Sequence, residues 1–414
     1  MPKWKTAVRA PSGRRSRRAI AGRGLSHSSD RPAIASRRRP RSGDTGDAII
    51  GWDIGGAHIK AARVEPGQRL VEVVQRPCTL WLGLDHLDRA LDEMVERVGP
   101  ARRHAVTMTG ELVDLFPDRR EGVRRLIAAL APRLGDGMRI FAGPSGFLDP
   151  RMAVRKPLAV ASANWLATVS WTATRIPAGL LADIGSTTAD LVPFRDGRSL
   201  HRGATDGERL AEAELVYSGA VRTPLMALAR QVPFAGRPHG VMAEYFATIA
   251  DAHRVTGRLP DGADLHATAD GRGKSVAESM ARLARMVGRD AGDAAPAAWR
   301  DLARTFAGLQ LDELRRAAEQ ILSRGELPQD APVVGAGVGR FIARDLAAAL
   351  DRPYADLATL LDAVPEVAER AAVSAPAAAV ALLAAASLWR TRRTRSMSRD
   401  PSRPPRQSAP RNPR

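Results

Sequence analysis

Apolar and polar positions alternate along this chain in two distinct rhythms. Ala48 to Trp52 form a short apolar run ending in Asp53-Ile54-Gly55-Gly56, and Ile59 to Val64 and Leu70 to Val74 read as two returning strands. This predicts a strand, turn, strand, strand meander. From His86 to Val98 the spacing becomes helical, with Leu87, Ala90, Leu91, Met94, Val95 and Val98 on one face. Further short strands are predicted at His104 to Met108 and Arg139 to Ala142.

The first pattern then recurs. Gly179 to Ala182 lead into Asp183-Ile184-Gly185-Ser186, Thr188 to Phe194 return as a strand, and Asp196-Gly197 is a hairpin signal before Arg198 to Arg202. Residues 50 to 64 and 180 to 194 therefore share one unit, which suggests two related lobes facing one site. After about residue 205 the chain reads as mostly helical, with Met280, Leu283, Ala284 and Val287 on one face and Arg282, Arg285 and Arg289 on another. Pro332 to Val334 form a last strand, followed by Gly335-x-Gly337-x-Gly339 and a helix through Leu350.

Charge changes the picture only at the ends. The chain has 414 residues and a net charge of +18. Residues 1–45 hold 13 Lys/Arg against 2 Asp, and residues 390–414 hold 9 Arg against 1 Asp, leaving 41 basic and 42 acidic residues between them. Both ends are too poor in large apolar residues to fold and are read as disordered basic tails. Whether they bind anionic partners, act as a transit peptide at the N-terminus or are inert extensions stays open. Nucleic-acid binding is expected only nonspecifically, through these tails.

The core of 46–389 exceeds the size of one hydrophobic core, so two lobes are expected, 46–178 and 179–389. A single cysteine, Cys78, excludes a disulfide framework and a cysteine-based zinc site, and points to the reducing cytoplasm. The run from Ala371 to Trp389 approaches a bilayer span in length. At least 10 of its residues are Ala, and Glu369 and Arg370 precede it, so it reads as a packed terminal helix rather than a membrane segment.

Two Asp-Ile-Gly turns carry the candidate chemistry. A strand-end Asp followed by Gly and small residues exposes backbone N–H groups to phosphate oxygens, while its carboxylate can hold Mg²⁺ through water. The candidate phosphate-binding residues are Asp53, Gly55, Gly56 and Lys60 in the first unit and Asp183, Gly185, Ser186, Thr187 and Thr188 in the second, with Asp53 and Asp183 as the metal candidates. Gly335, Gly337 and Gly339 form a nucleotide-type turn between a strand and a helix. It departs from the dinucleotide fingerprint, although Asp356 lies where a ribose-binding acid would fall. Tyr217, Arg222 and Thr223 form a polar group among apolar neighbours suited to binding substrate, whereas Glu208 and Glu212 read as a solvated helix face. His58 and His104 read as surface or packing residues.

In this order the motifs resemble the actin-like ATPase superfamily of sugar kinases and chaperone ATPases, an α/β ribonuclease-H-like fold with duplicated strand-turn-strand units and, here, a helical insertion. More narrowly, the chain resembles the hydantoinase/oxoprolinase-related proteins of the tetrahydromethanopterin-linked one-carbon pathway. The resemblance lies in Gly51 to Lys60 (GWDIGGAHIK), Met108 to Asp114 (MTGELVD) with Arg120 to Val123, Ala161 to Ala167 (ASANWLA), Asp183 to Asp190 (DIGSTTAD), Glu214 to Pro224 (ELVYSGAVRTP) and Arg282 to Asp290 (RLARMVGRD). His58, Ala189 and Ala213 depart from residues common in the family.

The resemblance implies a transferase in the building of a methanofuran-type cofactor. It would displace diphosphate from a furanylmethyl carbon with the phenol oxygen of a tyramine derivative, using Mg²⁺ and a carboxylate base. Glu111, Asp206 and Glu244 are the candidates for that base. An ATP-dependent hydrolase of hydantoin or oxoproline rings is the second expectation, and a non-catalytic nucleotide- or nucleic-acid-binding protein the third. The partner expected is a small phosphorylated molecule, and homo-oligomerisation stays open.

Overall fold

The computed structural model describes residues 48–397 except Gln68, with the helical backbone alone beyond 387; these residues fall within one compact unit. The predicted basic tail 1–45 lies outside them. Strands β1 (Ile49–Ile54), β2 (His58–Glu65) and β3 (Arg69–Pro77) form the predicted antiparallel meander. Parallel to β1 runs β4 (Arg103–Met108), followed by β5 (Met138–Phe141) and the short antiparallel β6 (Phe147–Leu148), giving the order β3-β2-β1-β4-β5-β6.

The second sheet repeats the plan. Its central β7 (Ala178–Ile184) pairs antiparallel with β8 (Ala189–Arg195), which carries β9 (Arg198–Ser199) and β10 (Leu215–Val216). The hairpin β11 (Gln231–Phe234) and β12 (Arg237–Gly240) stands apart, while β13 (Val333–Ala336) and β14 (Tyr354–Asp356) extend the second sheet parallel to β7. The order β10-β8-β7-β13-β14 matches β3-β2-β1-β4-β5 strand for strand. Two sheets of one strand order are the duplicated halves that the resemblance to the actin-like ATPase fold implies. Every residue of β1 and β7 is buried, as expected of central strands covered on both faces.

Alternate side chains of β1 serve two cores. Ile50, Trp52 and Ile54 pack with Leu87, Leu91, Val123 and Leu126 of the helices Leu84–Val98 and Arg119–Leu134. Ile49 faces the other way, into a core shared with Leu181 and Val334 of the second sheet. That shared layer holds two helices, Asn164–Thr172 and Ala375–Met397. The Ala-rich segment is therefore a packed helix, and no single helix among the described residues is long and apolar enough to cross a membrane. Its composition follows from how closely it approaches the sheet. A Cβ on Gly51 would strike the carbonyl of Ala377 and crowd Ala381. The helix runs beyond 389 to Met397, into the segment expected to be a tail, where four of the eight residues are Arg, a good helix former; the rest of that segment lies outside the described residues.

The region after 205 departs from the helical expectation through β10 and the β11–β12 hairpin. The hairpin turn is Ala235-Gly236, both at positive φ, and Ala at the first position hides a signal that Asn or Asp would have given. Around it Phe234, Leu283, Trp299, Leu302 and Phe306 form a separate apolar cluster. Arg282, placed on the polar helix face by its spacing, is fully buried and ion-paired with Asp251 and Asp270 at 2.8 and 3.1 Å.

Candidate functional site

The two Asp-Ile-Gly turns end the central strands of the two sheets. In the first, Gly55 N–H donates to the His58 carbonyl at 3.0 Å, and Asp53 stands opposite Lys60 in the β1–β2 register. Lys60 Nζ lies 3.6 Å from Asp53 Oδ2, while Asp53 Oδ1 is buried without a partner. In the second, Gly185 N–H donates to the Thr188 carbonyl at 2.8 Å, and Asp183 faces Asp190 across β7–β8.

These groups form one electrostatic cluster. Burial pushes Asp53 above the usual carboxylate range even though Lys60 pulls it down, and Asp190 adds to the rise. Burial also raises Asp183, to about 7, with Asp190 and Asp53 raising it further and Lys60 opposing. Asp190 is raised by burial against the opposing charge of Arg209, which sits 2.9 Å away. Crowded oxygen ligands with an unpaired buried Oδ1 fit a hard divalent cation. Among the described residues no three acidic, His or Cys side chains converge into a full metal cage. A cation that retains several water ligands, as Mg²⁺ does, suits such a sparse set.

The segment 214–224 braces the second turn. Ala220 N–H donates to the Gly185 carbonyl, and Val221 and Arg222 N–H to that of Ser186, at 2.8–3.1 Å. Thr223 is buried and closes this loop on itself, donating to the Gly219 carbonyl and accepting from its N–H, so it shapes the site from behind. Arg222 is exposed, with its charge felt at His58 and His266. Tyr217 is also exposed. Ser186, Thr187 and Thr188 are half-buried.

The glycine-rich third turn is packed against the second. Gly337 has φ +78, a Cβ on it would overlap the Ile184 carbonyl, and its N–H donates to Ala372 O at 2.9 Å. Gly339 N–H donates to Ile184 O at 2.8 Å, and a Cβ on Gly335 would run into the Tyr354 ring. Two amides of this turn are thus already paired within the protein. Asp356 is bonded to Arg340, Tyr354 Oη and the N–H of Ala358, an arrangement that caps a short helix.

A cavity of about 460 Å³ opens beside the turns, lined by His58 and Lys60 from β2, Gly185 and Ser186 from the second turn, and Val338 and Arg340 from the third. His58, expected at the surface or in packing, is buried and lines it. His104 is a packing residue, accepting from Trp52 Nε1 at 3.1 Å.

Of the three carboxylates considered as bases, two come together. Glu111 follows β4, where Thr109 N–H bonds to Ile54 O and a Cβ on Gly110 would press on the first turn. Glu111 Oε1 accepts from both N–H and Oγ of Ser162, at 2.8 and 3.1 Å, and Oε2 is buried without a partner. Burial pushes its carboxyl up to about 7, the Ser162 hydrogen bonds oppose that rise, and Asp206 adds to it. Asp206 meets Ser162 Oγ at 3.5 Å and is ion-paired with Arg119 at 2.9 Å. Glu244 is exposed in the loop before the helix Ile249–Val255. Ser162, at φ 52, escaped the sequence reading because nothing in its type announces a left-handed backbone. Glu208 caps its helix as a solvated residue.

Along residues 102–387 the sequence matches the profile of the Hydantoinase/oxoprolinase family. It is 30% identical over 298 residues to the (4-{4-[2-(gamma-L-glutamylamino)ethyl]phenoxymethyl}furan-2-yl)methanamine synthase of Methanocaldococcus jannaschii, covering 72% of this chain and 88% of that one. A protein of the same name from Methanococcus vannielii is 34% identical over 111 residues, 27% of this chain and 50% of that one. Among solved structures, nucleotide-free acetone carboxylase aligns with a TM-score of 0.46 and 12% identity over 71% of this chain and 66% of that one. The activator of 2-hydroxyisocaproyl-CoA dehydratase from Clostridium difficile aligns with a TM-score of 0.39 and 12% identity, over 83% and 97%.

Proposed function

The chain belongs to the hydantoinase/oxoprolinase family, and from that membership we propose that it is a transferase of methanofuran-type cofactor biosynthesis, acting on an organic diphosphate. The substrates are an aminomethylfuran diphosphate and a tyramine-derived phenol. The phenol oxygen bonds to the furanylmethyl carbon as the carbon–oxygen bond to diphosphate breaks, the phenol proton passes to a carboxylate, and diphosphate leaves. The observation carrying this reading is the cavity into which Lys60 of the first unit and Gly185 and Ser186 of the second both face, in a chain that aligns with 88% of the Methanocaldococcus enzyme.

Lys60 and the small-residue turn Ser186–Thr188 supply the cation and donors suited to a diphosphate chain. Donors held in place before the bond breaks stabilise the charge developing on the leaving group. Asp53 and Asp183 would hold Mg²⁺, which neutralises diphosphate charge when bound. Glu111 is the base we favour among the three candidates. A phenol has an ordinary pKa of about 10, and a carboxyl raised to about 7 accepts its proton far more readily than an ordinary one. One Glu111 oxygen is held by Ser162 and the other is unpartnered.

The deciding experiment incubates the full chain and MgCl₂ with aminomethylfuran diphosphate and γ-glutamyltyramine, following diphosphate release and the ether product by mass spectrometry. Stoichiometric ether and diphosphate are expected. A folded protein that forms neither, or that instead hydrolyses ATP when given 5-oxoproline or a hydantoin, overturns the proposal in favour of the hydrolase reading.

A further inference from the structure

Beside the carboxylate cluster stands a pair of imidazoles that the mechanism above does not use, one of which, His58, lines the cavity. His58 opens β2, is 8% exposed, lines the cavity, and has a buried Nε2 with no partner. His266, in the loop between the helices Ile249–Val255 and Val276–Met286, sets its ring edge-on to His58 with centroids 4.7 Å apart. Its Nε2 is likewise buried and unpartnered. The Trp81 ring stands behind it at 6.4 Å. The loop is anchored two residues away, where Asp264 pairs with Arg254 at 2.6 Å and Lys274 at 3.2 Å.

The surrounding charge decides what such a pair can bind. Lys60 and Arg222 act on His58, and Arg222 and Lys274 act on His266, with Asp264 as the opposing carboxylate at His266. A metal cation would join an already positive environment, whereas an anion would be drawn into it. Burial and the same cations hold His58 neutral, down to about 3, so one ring nitrogen keeps a proton that it can donate. Leaving a buried polar atom unpaired is unfavourable, and a phosphate oxygen met by a turn of the His58 ring toward the cavity would relieve it.

We propose that His58 Nε2–H is a direct ligand of the outer phosphate of the diphosphate substrate, with His266 as the residue that orients the His58 ring. The inference rests on the transferase reading and assigns the far end of the diphosphate to an imidazole rather than to the backbone donors of the two turns. It also identifies His58 as a residue selecting a diphosphate over a monophosphate ester.

The test is calorimetric titration of the full chain with inorganic diphosphate and with inorganic phosphate, each with MgCl₂, for the wild type, His58→Leu, His58→Asn and His266→Leu. His58→Leu should weaken diphosphate binding about tenfold to a hundredfold, the loss expected for one hydrogen bond to a charged group, and leave phosphate binding nearly unchanged. His58→Asn, which restores an N–H donor, should recover most of the affinity. In ¹H–¹⁵N spectra of histidine-labelled wild type, the His58 resonances, assigned by their loss in His58→Asn, should move on adding diphosphate, and in His266→Leu that movement should shrink. Wild-type affinity in His58→Leu, or unmoved His58 resonances while the wild type binds diphosphate, overturns the inference alone. A wild type that binds diphosphate through His58 but forms no ether overturns the transferase reading alone. No diphosphate binding by the wild type overturns both.

Discussion

Asp53 and Lys60 face each other across the β1–β2 hairpin, Nζ to Oδ2 at 3.6 Å, so the first turn carries its own counterion into the cluster of Asp183 and Asp190. Lys60 is the nearby cation that opposes burial at both Asp53 and Asp183. Replacing Lys60 by Met should therefore weaken diphosphate binding and raise both carboxyls further. We expect a loss of affinity of about tenfold or more, as for one charge-assisted contact, measured as Kd by calorimetry at pH 7.

Glu111→Gln removes the proposed base while keeping the acceptor oxygen for Ser162. The rate of ether formation should fall by about 10²–10⁴-fold, the usual worth of general base catalysis, with KM little changed. A base must be ionised to act, so the wild-type rate should climb as pH rises through about 7. That limb should vanish in the variant; a variant that keeps it would assign the limb to another group.

Asp183 and Glu111 are both raised to about 7, from ordinary values of 3.8 and 4.5. Between those limits the folded protein retains protons that the unfolded chain has lost. Stability without ligand must then fall as pH rises across that window. The Tm of the Mg²⁺-free protein should be higher at pH 5.5 than at 7.5, and Asp183→Asn should flatten the difference. Scanning calorimetry across this range checks both.

Arg282 is fully buried between Asp251, Asp270 and the Gly273 carbonyl. Arg282→Met would leave the Asp251 carboxylate buried with less compensation, and loss of one partner of a buried pair costs about 3–5 kcal/mol. Because Asp270 and Gly273 lie in the loop that carries His266, hydrogen exchange over residues 260–274 should accelerate more than elsewhere. Denaturant titration and exchange mass spectrometry read the two effects.

Much of the core was legible because central strands here are continuous apolar runs closed by Asp-Ile-Gly. That pattern located β1, β2, β7 and β8, and with them Asp53, Lys60 and Asp183. It revealed the duplication as well, since the same unit occurs twice. What escaped depends on long-range placement. Arg282 has the spacing of a solvated residue, and only tertiary structure brings Asp251 and Asp270 around it. His58 gained its cavity position from a loop more than two hundred residues away in the chain. Gly337 and Gly339 read as part of a nucleotide-type turn, yet their amides bond Ala372 and Ile184. Ser162 reaches Glu111 through a left-handed backbone that its residue type does not advertise.

The helix Ala375–Met397 lies against β1 through Gly51, and Leu70 of β3 exchanges backbone hydrogen bonds with Asp362 and Val364. The first sheet is thus covered by a segment far later in the chain. During synthesis β1 must wait, with one apolar face uncovered, until the residues from 362 onward have emerged. Such a sequence separation slows folding, so a nascent chain stalled before residue 375 should be a good chaperone client, and a Gly51→Val chain should release from that chaperone slowly even when fully synthesised.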